Sequence, residues 1–173
     1  MSRVRLLRRM RGHKGATVIF VAIGLVMFLG FAALAVDVGY LYVVRGELQN
    51  SADSGALAGA QVLYNNLGTE VNAGANAVAQ DYAERHDSEQ EQAVVESVER
   101  GHWSFATRTF TPNNSLVAVP LWDVTAEELD ANPDFINAVR VITRRKRDVG
   151  GQLPAHFFAT ILGRPRPEAR ATA

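Results

Sequence analysis

Residues 35–60 read AVDVGYLYVVRGELQNSADSGALAGA, and they carry the chain from an apolar block into a polar segment without a proline. Apolar and small residues recur along this stretch at steps of three and four, which is the spacing of one helix face. The members of this face are Leu41, Val44, Leu48, Ala52, Gly55 and Gly59. The pattern predicts one continuous helix that begins inside the apolar block and extends well beyond it.

The apolar block covers residues 16–36, ATVIFVAIGLVMFLGFAALAV, and contains no charge and no Asn, Gln, His or Pro. A helix rises about 1.5 Å per residue, so about 20 such residues cross the roughly 30 Å hydrocarbon core of a bilayer. Lipid offers no partner for backbone N–H and C=O groups, so a spanning segment has to be helical. We therefore expect a transmembrane helix at residues 16–36, with membrane lipid as its partner.

Charged residues at the two ends of the block predict its orientation. Six of the 18 basic residues stand in the first fourteen positions, and no acidic residue stands among them: Arg3, Arg5, Arg8, Arg9, Arg11 and Lys14. Because positive flanks stay on the cytoplasmic side, residues 1–15 are expected in the cytoplasm and the chain after the span outside it. Asp37 follows the span directly, where a carboxylate can reach water and set the depth of the helix.

A cleaved secretory signal is the alternative, since Ala33-Leu34-Ala35 has the form of an A-x-A cleavage site. The apolar core of a signal peptide is typically about 7–15 residues long, which is shorter than this block. We therefore favour a retained anchor.

After the basic N-terminus the chain holds 12 basic and 18 acidic residues, so its body is mildly acidic. This balance argues against a nucleic-acid-binding domain. The chain has no cysteine, which excludes disulfides and thiolate metal sites.

The end of the apolar block and the helix after it resemble the N-terminal membrane segment of TadG-like proteins of the Flp (tight adherence, Tad) pilus machinery. The resemblance covers about residues 12–60 and is carried by LGFAALAVDVGYLYVVRGELQNSADSGALAGA. The matching positions are Val36, Asp37, Gly39, Tyr42, Arg45, Leu48, Gln49, Ala52, Asp53, Ala56, Leu57, Ala58 and Ala60. Three later stretches, GHWSFATRTFTPNN, NAVRVITRR and LPAHFFATILG, resemble the periplasmic continuation of shorter members.

The resemblance implies a single-pass protein of the bacterial inner membrane whose periplasmic domain assembles or anchors the pilus together with other pilus-assembly proteins. Longer relatives carry a DxSxS metal site, and no such triplet occurs here, so no metal or cofactor is carried over. Pilins of the system are cut after a glycine and need Glu at the fifth mature position. After Gly15 that position is Phe20, which argues against a filament subunit. A pilin-like subunit processed near Gly15 is the alternative to an assembly protein.

Small residues at four-residue spacing form a candidate packing face on the second half of the long helix: Ala52, Gly55, Ala56, Gly59 and Ala60. Such a face lets another helix backbone approach closely. Two readings stay open here, a contact with another protein or a second copy of this chain, and packing on the protein's own domain.

The remaining chain predicts a small α+β domain. Thr69 is a candidate N-cap for a second helix at 69–84, whose buried face would hold Val71, Ala75, Val78 and Tyr82. Alternating residues after it suggest two strands across a turn at Arg100-Gly101. Their core candidates are Val94, Val98, Trp103, Phe105 and Phe110.

Further elements complete this domain. Thr125 and Glu128 have the spacing of a capping box, so a short helix is expected at 125–130. Residues 138–144 alternate as a strand, Pro154 opens a helix closed by Gly163, and the final EARATA adds an edge strand. The expected organisation is a basic tip at 1–15, a transmembrane helix at 16–36, a helical stalk at 37–62 and an α+β domain at 63–173.

Enzyme signatures are absent, including G-x-G-x-x-G, G-x-x-x-x-G-K-[ST], H-E-x-x-H and G-x-S-x-G. His13, His86, His102 and His156 are far apart in sequence, so no zinc site is expected. We expect a non-enzymatic protein. A membrane-tethered enzyme using Asp123, His102 and His156 is a third hypothesis, and the basic run 144–147 is a candidate contact for anionic headgroups or an acidic partner.

Overall fold

The structure, a computed structural model, describes residues 14–85, 87–88, 91–145 and 169–173. Its dominant element is α1, Lys14–Gln61, a single helix of 48 residues and therefore about 72 Å long. The expectation of one continuous helix is confirmed. The fold is α+β, with this long helix followed by a small domain built around an antiparallel sheet.

The elements after α1 are α2, Ala75–Glu84; β1, Asp87–Ser88; β2, Glu91–Ser104; β3, Thr109–Pro112; α3, Ala126–Ala131; β4, Ala138–Arg145; and β5, Arg170–Thr172. The sheet has the order β1-β2-β4-β5, and β3 pairs with the end of β2. All pairs are antiparallel, and β2 is the longest strand because it pairs with β4 over 93–101 and with β3 over 101–104.

The second half of α1 lies in the core of the domain. One apolar cluster joins Val44 and Leu48 of α1 to Ala93 and Ala171 of the sheet. Polar side chains add to this contact, since the buried Thr143 hydroxyl donates to the Leu48 carbonyl at 2.9 Å. The segment expected as a stalk at 37–62 therefore buries one face in the domain instead of standing apart from it.

The turn expected at Arg100-Gly101 is wrong, because β2 continues through both residues. Gly101 is required there because the backbone of β3 approaches it closely: a Cβ on Gly101 would collide with the Thr111 carbonyl oxygen and lie 3.0 Å from the Pro112 Cα. The chain instead turns at 105–108, after which β3 ends at Pro112. Phe105 falls in this turn and is 74% exposed, so its assignment to the core is wrong as well.

The other core candidates of this hairpin are only partly buried. Val98 packs against the main apolar cluster, as Val95 does. Phe110 lies under the Arg140 guanidinium, whose Cζ is 4.4 Å from the ring centroid.

The second helix is shorter than expected. Thr69 is not its N-cap: the Thr69 N–H donates to Asn65 Oδ1 at 2.9 Å, and the chain forms a bridge between Tyr64 and Val71 before α2 begins. The N-cap residue is Gly74. Val71 and Ala75 are buried as expected, but Tyr82 is 44% exposed, and the buried face of α2 consists of Ala75, Ala79 and Ala83.

Three later predictions are confirmed. Thr125 caps α3 in a reciprocal capping box with Glu128, β4 occupies the expected segment, and the C-terminal residues pair with β4 as β5. The helix expected between Pro154 and Gly163 lies outside the described residues.

Candidate functional site

The first half of α1 is apolar and uncovered. It is long and apolar enough to cross a membrane, and its most apolar stretch is not buried by any other part of the chain that the structure describes. Large side chains along it, such as Phe20, Phe28 and Phe31, are exposed. In water this surface would be strongly unfavourable, so the first half of α1 is suited to lipid or to another apolar partner. The basic residues expected to orient it, Arg3, Arg5, Arg8, Arg9 and Arg11, lie outside the described residues, as does the side chain of Lys14.

Asp37 and Tyr40 mark the point where α1 enters the domain. Asp37 is 7% exposed, so its carboxylate is enclosed by protein, whereas we expected it to reach water. Tyr40 packs against the apolar cluster of Val44 and Leu48, and the Arg145 guanidinium donates a hydrogen bond to its hydroxyl. This hydrogen bond ties the end of β4 to α1 at Tyr40, four residues after Val36, where the expected span ends. Tyr42 points away from the domain and is 73% exposed.

The basic run 144–147 begins at this same end of β4. Arg144 is exposed and Arg145 binds Tyr40, while residues 146 and 147 lie outside the described part of the chain.

The small-residue face of α1 packs against α2. A Cβ on Gly55 would lie 2.6 Å from the Ala79 carbonyl oxygen and 2.8 Å from the Ala83 Cβ, and one on Gly59 would lie 2.8 Å from the Ala79 Cβ. Contacts this short leave no room for a side chain. The Ser51 hydroxyl donates to the Ala83 carbonyl at 2.8 Å and so satisfies a carbonyl at the end of α2.

This contact occupies much of the face that the sequence singled out. Ala52, Gly55 and Gly59 are buried in it, Ala56 is partly buried against the core, and only Ala60 is exposed. Of the two readings left open, the geometry corresponds to packing on the protein's own domain. A partner helix would have to approach α1 from another side.

His102 is buried, and both of its ring nitrogens face backbone carbonyls. Nδ1 lies 2.8 Å from the Phe135 oxygen, and Nε2 lies 2.7 Å from the Asp130 oxygen at the end of α3. These contacts give His102 a structural role. Asp123 is exposed on a loop, and His156 lies outside the described residues. Among the described residues no three His, Asp or Glu side chains come together as a metal site.

The Asp130 carboxylate holds the tip of the β2–β3 hairpin to α3. Its oxygens accept from the N–H groups of Phe105 at 2.6 Å and Ala106 at 3.0 Å, and from the Ser104 hydroxyl at 3.0 Å. These backbone hydrogen bonds lower the pKa of Asp130, because they stabilise its charged form. The hydrogen bonds from Thr125 lower the pKa of Glu128 in the same way.

Two family models match the chain, and together they span both halves of this architecture. The model described as Flp pilus-assembly TadE/G-like matches residues 15–62. The model described as Tad-like Flp pilus-assembly matches residues 58–173, which is more than half of the chain. The chain belongs to the Tad family of Flp pilus-assembly proteins. No curated protein and no solved structure matches it.

The two Tad models meet inside α1, close to the contact with α2. The first covers α1 and the second covers the rest of the domain. Membership of the Tad family confirms the resemblance to TadG-like proteins, and it connects this chain with other components of pilus assembly.

Sequence reasoning about this Tad protein missed the partner of the small-residue face. The signal was present, because Ala75, Ala79 and Ala83 repeat the four-residue spacing of Gly55 and Gly59. Two helices with small residues at this spacing are matched for close approach. The prediction instead placed the larger side chains of Val71, Val78 and Tyr82 on the buried face, which is a different face of the segment.

Proposed function

We propose that this protein is a single-pass membrane protein that contributes to Flp pilus assembly by position and not by catalysis. Its N-terminus lies in the cytoplasm, the first half of α1 spans the inner membrane, and the α+β domain lies on the periplasmic or extracellular side. Confinement to the membrane raises the effective concentration of partners held there.

One observation carries this proposal. The apolar first half and the domain-embedded second half belong to the same helix, with no loop between them. A domain that shares a helix with its anchor is held at a fixed height and orientation relative to the bilayer. Such an arrangement supports a protein that presents a surface to partners in the same membrane.

Topology can be tested by cysteine labelling, because the natural chain has no cysteine. Two full-length variants, Ser2→Cys and Thr107→Cys, would each be treated with a membrane-impermeant maleimide in spheroplasts. We expect Thr107→Cys to react in intact spheroplasts, since residue 107 lies in an exposed turn, and Ser2→Cys to react only after the spheroplasts are permeabilised. Labelling in the reverse pattern would refute the proposed orientation.

A filament subunit is the alternative, and the uncovered apolar half of α1 also favours it. In a filament that surface would pack against the same helix of neighbouring copies instead of lipid. Mass spectrometry of the protein from cells separates the two functions. A mature N-terminus at Ala16 supports a processed subunit, whereas an intact basic N-terminus supports a permanent anchor.

A further inference from the structure

Beyond the end of α1 the domain exposes an apolar surface, which we call the tip surface: Leu67, Pro120, Leu121 and Trp122. Trp122 is 87% exposed and Leu67 is 84% exposed, although both are large apolar side chains. Together with Thr69 and Val119 they line an open depression of about 320 Å³. An exposed Trp beside a depression is unfavourable in water and is typical of a protein-binding site.

The loops that form the tip surface are held in place. The Val71 N–H donates to the Leu116 carbonyl, and Glu70 and Val117 form a bridge between the two loops. Arg100 is buried beneath them, and its guanidinium donates to the Asn72 carbonyl at 2.8 Å and the Asn114 carbonyl at 3.4 Å. The surface is therefore preformed, which reduces the entropy lost when a partner binds.

The position of the tip surface argues against lipid as its occupant, and this step rests on the proposed function. Residues 37–61 of α1 rise about 37 Å above the end of the span at about 1.5 Å per residue. Leu67 follows the end of α1 by six residues, so the tip surface lies on the side of the domain away from the bilayer.

Charge around the tip surface argues against a second copy of this chain. Residues 62–84 and 109–139 contain acidic residues but no Lys or Arg. Glu70 follows Thr69 and Asp123 follows Trp122, and both are exposed. Two copies meeting at this surface would bring the same negative charges together, which is unfavourable.

We propose that the tip surface binds another extracytoplasmic protein through an apolar segment of that protein flanked by Lys or Arg. The apolar side chains of the segment fill the depression beside Trp122. Its basic residues face Glu70 and Asp123, so these two acidic residues, the acidic rim, select the partner and orient it.

Photocrosslinking in cells tests this proposal on the full-length chain. Benzoylphenylalanine replaces Trp122 in one strain and Tyr82, an exposed aromatic residue of α2, in a control strain. We expect position 122 to crosslink to one other protein, and mass spectrometry to place the linked residue within a few positions of Lys or Arg. A crosslink from 122 to this same chain, to lipid or to nothing would overturn the proposal.

Charge reversal adds a second readout. Glu70→Lys combined with Asp123→Lys should lower the crosslink yield from position 122 at least tenfold, whereas Asp53→Lys on α1 should leave it unchanged. Equal yields in the two variants would refute the acidic rim. Cysteine labelling at residue 107 reports the topology independently, so external labelling without the crosslink would overturn this inference alone.

Discussion

Gly55 of α1 and Ala79 of α2 lie so close that a Cβ on Gly55 would be 2.6 Å from the Ala79 carbonyl oxygen. This contact fixes α2 on the continuous helix that also carries the apolar half. At this contact between α1 and the domain, the backbones approach so closely that no side chain fits on Gly55.

Replacing Gly55 by Ala should destabilise the domain, because the added methyl group forces the two helices apart. We expect Gly55→Ala to lower the free energy of unfolding by about 1–2 kcal/mol, after a gain in helix propensity of about 1 kcal/mol is included. Thermal unfolding of the full chain in detergent, followed by near-UV circular dichroism, measures this.

Gly46→Ala is the matched control, since nothing lies within 4 Å of a Cβ on Gly46 in the same helix. It should be neutral or stabilise the protein by up to about 1 kcal/mol. Equal effects of the two substitutions would contradict the close contact between α1 and α2.

Much of α1 and the late strands follows from sequence alone, because their signals are local. The uncharged block at 16–36 predicts a helix and the alternation at 138–144 predicts a strand, and each pattern lies within a single element. The partner of Gly55 is a longer-range question, because the sequence offers two candidate buried faces of α2, one of which carries the matching Ala spacing. Shape complementarity decides which face packs inward: Ala79 and Ala83 fit against Gly55, whereas a face containing the large Tyr82 side chain would not.

Removing the Tyr40 hydroxyl should loosen the end of β4 where Arg145 donates to it. We expect Tyr40→Phe to cost about 1–2 kcal/mol of unfolding free energy, since hydrogen bonds from charged groups are stronger than average. Tyr42→Phe serves as the control because Tyr42 is exposed, and it should change stability by less than about 0.5 kcal/mol. Thermal unfolding of both variants in the same detergent measures the two stability changes. Equal losses of stability would refute the role of the Tyr40 hydroxyl.

The capping box of α3 should contribute measurably to the stability of the protein, although the helix is short. The Thr125 hydroxyl accepts from the Glu128 N–H at 3.2 Å, and the Glu128 carboxylate accepts from the Thr125 N–H at 2.9 Å. Thr125→Ala should therefore cost about 1 kcal/mol, whereas Thr125→Ser should retain most of the stability. Hydrogen exchange of the Glu128 amide checks this, and similar protection in both variants would count against the cap.

The contacts around His102 show where sequence reasoning about a site reaches its limit. A lone histidine between a Gly and a Trp gives no local sign of its partners, and both of them are carbonyls more than 25 residues away. The same is true of Asp130, which accepts from two backbone N–H groups, those of Phe105 and Ala106, in a turn that the sequence pattern predicted at Arg100-Gly101 instead. Backbone partners carry no side-chain signature, so only the fold reveals them.

The hairpin tip should lose stability in acid because of Asp130. Backbone hydrogen bonds from Phe105 and Ala106 lower its pKa in the folded protein below the unfolded value. The resulting stabilisation is therefore present at neutral pH and is lost as the pH falls through the lowered pKa of the folded protein. Hydrogen-exchange protection of the Phe105 and Ala106 amides, compared with that of a core strand such as β4, should fall over this range.

Asp130→Asn should remove this pH dependence, because the neutral amide does not titrate and accepts these hydrogen bonds less strongly. The control is Asp123→Asn, on an exposed residue with φ of 61° that Asn adopts readily. This control should keep the acid response of the hairpin amides. An unchanged response in Asp130→Asn would show that another group is responsible and that the carboxylate does not hold the hairpin to α3.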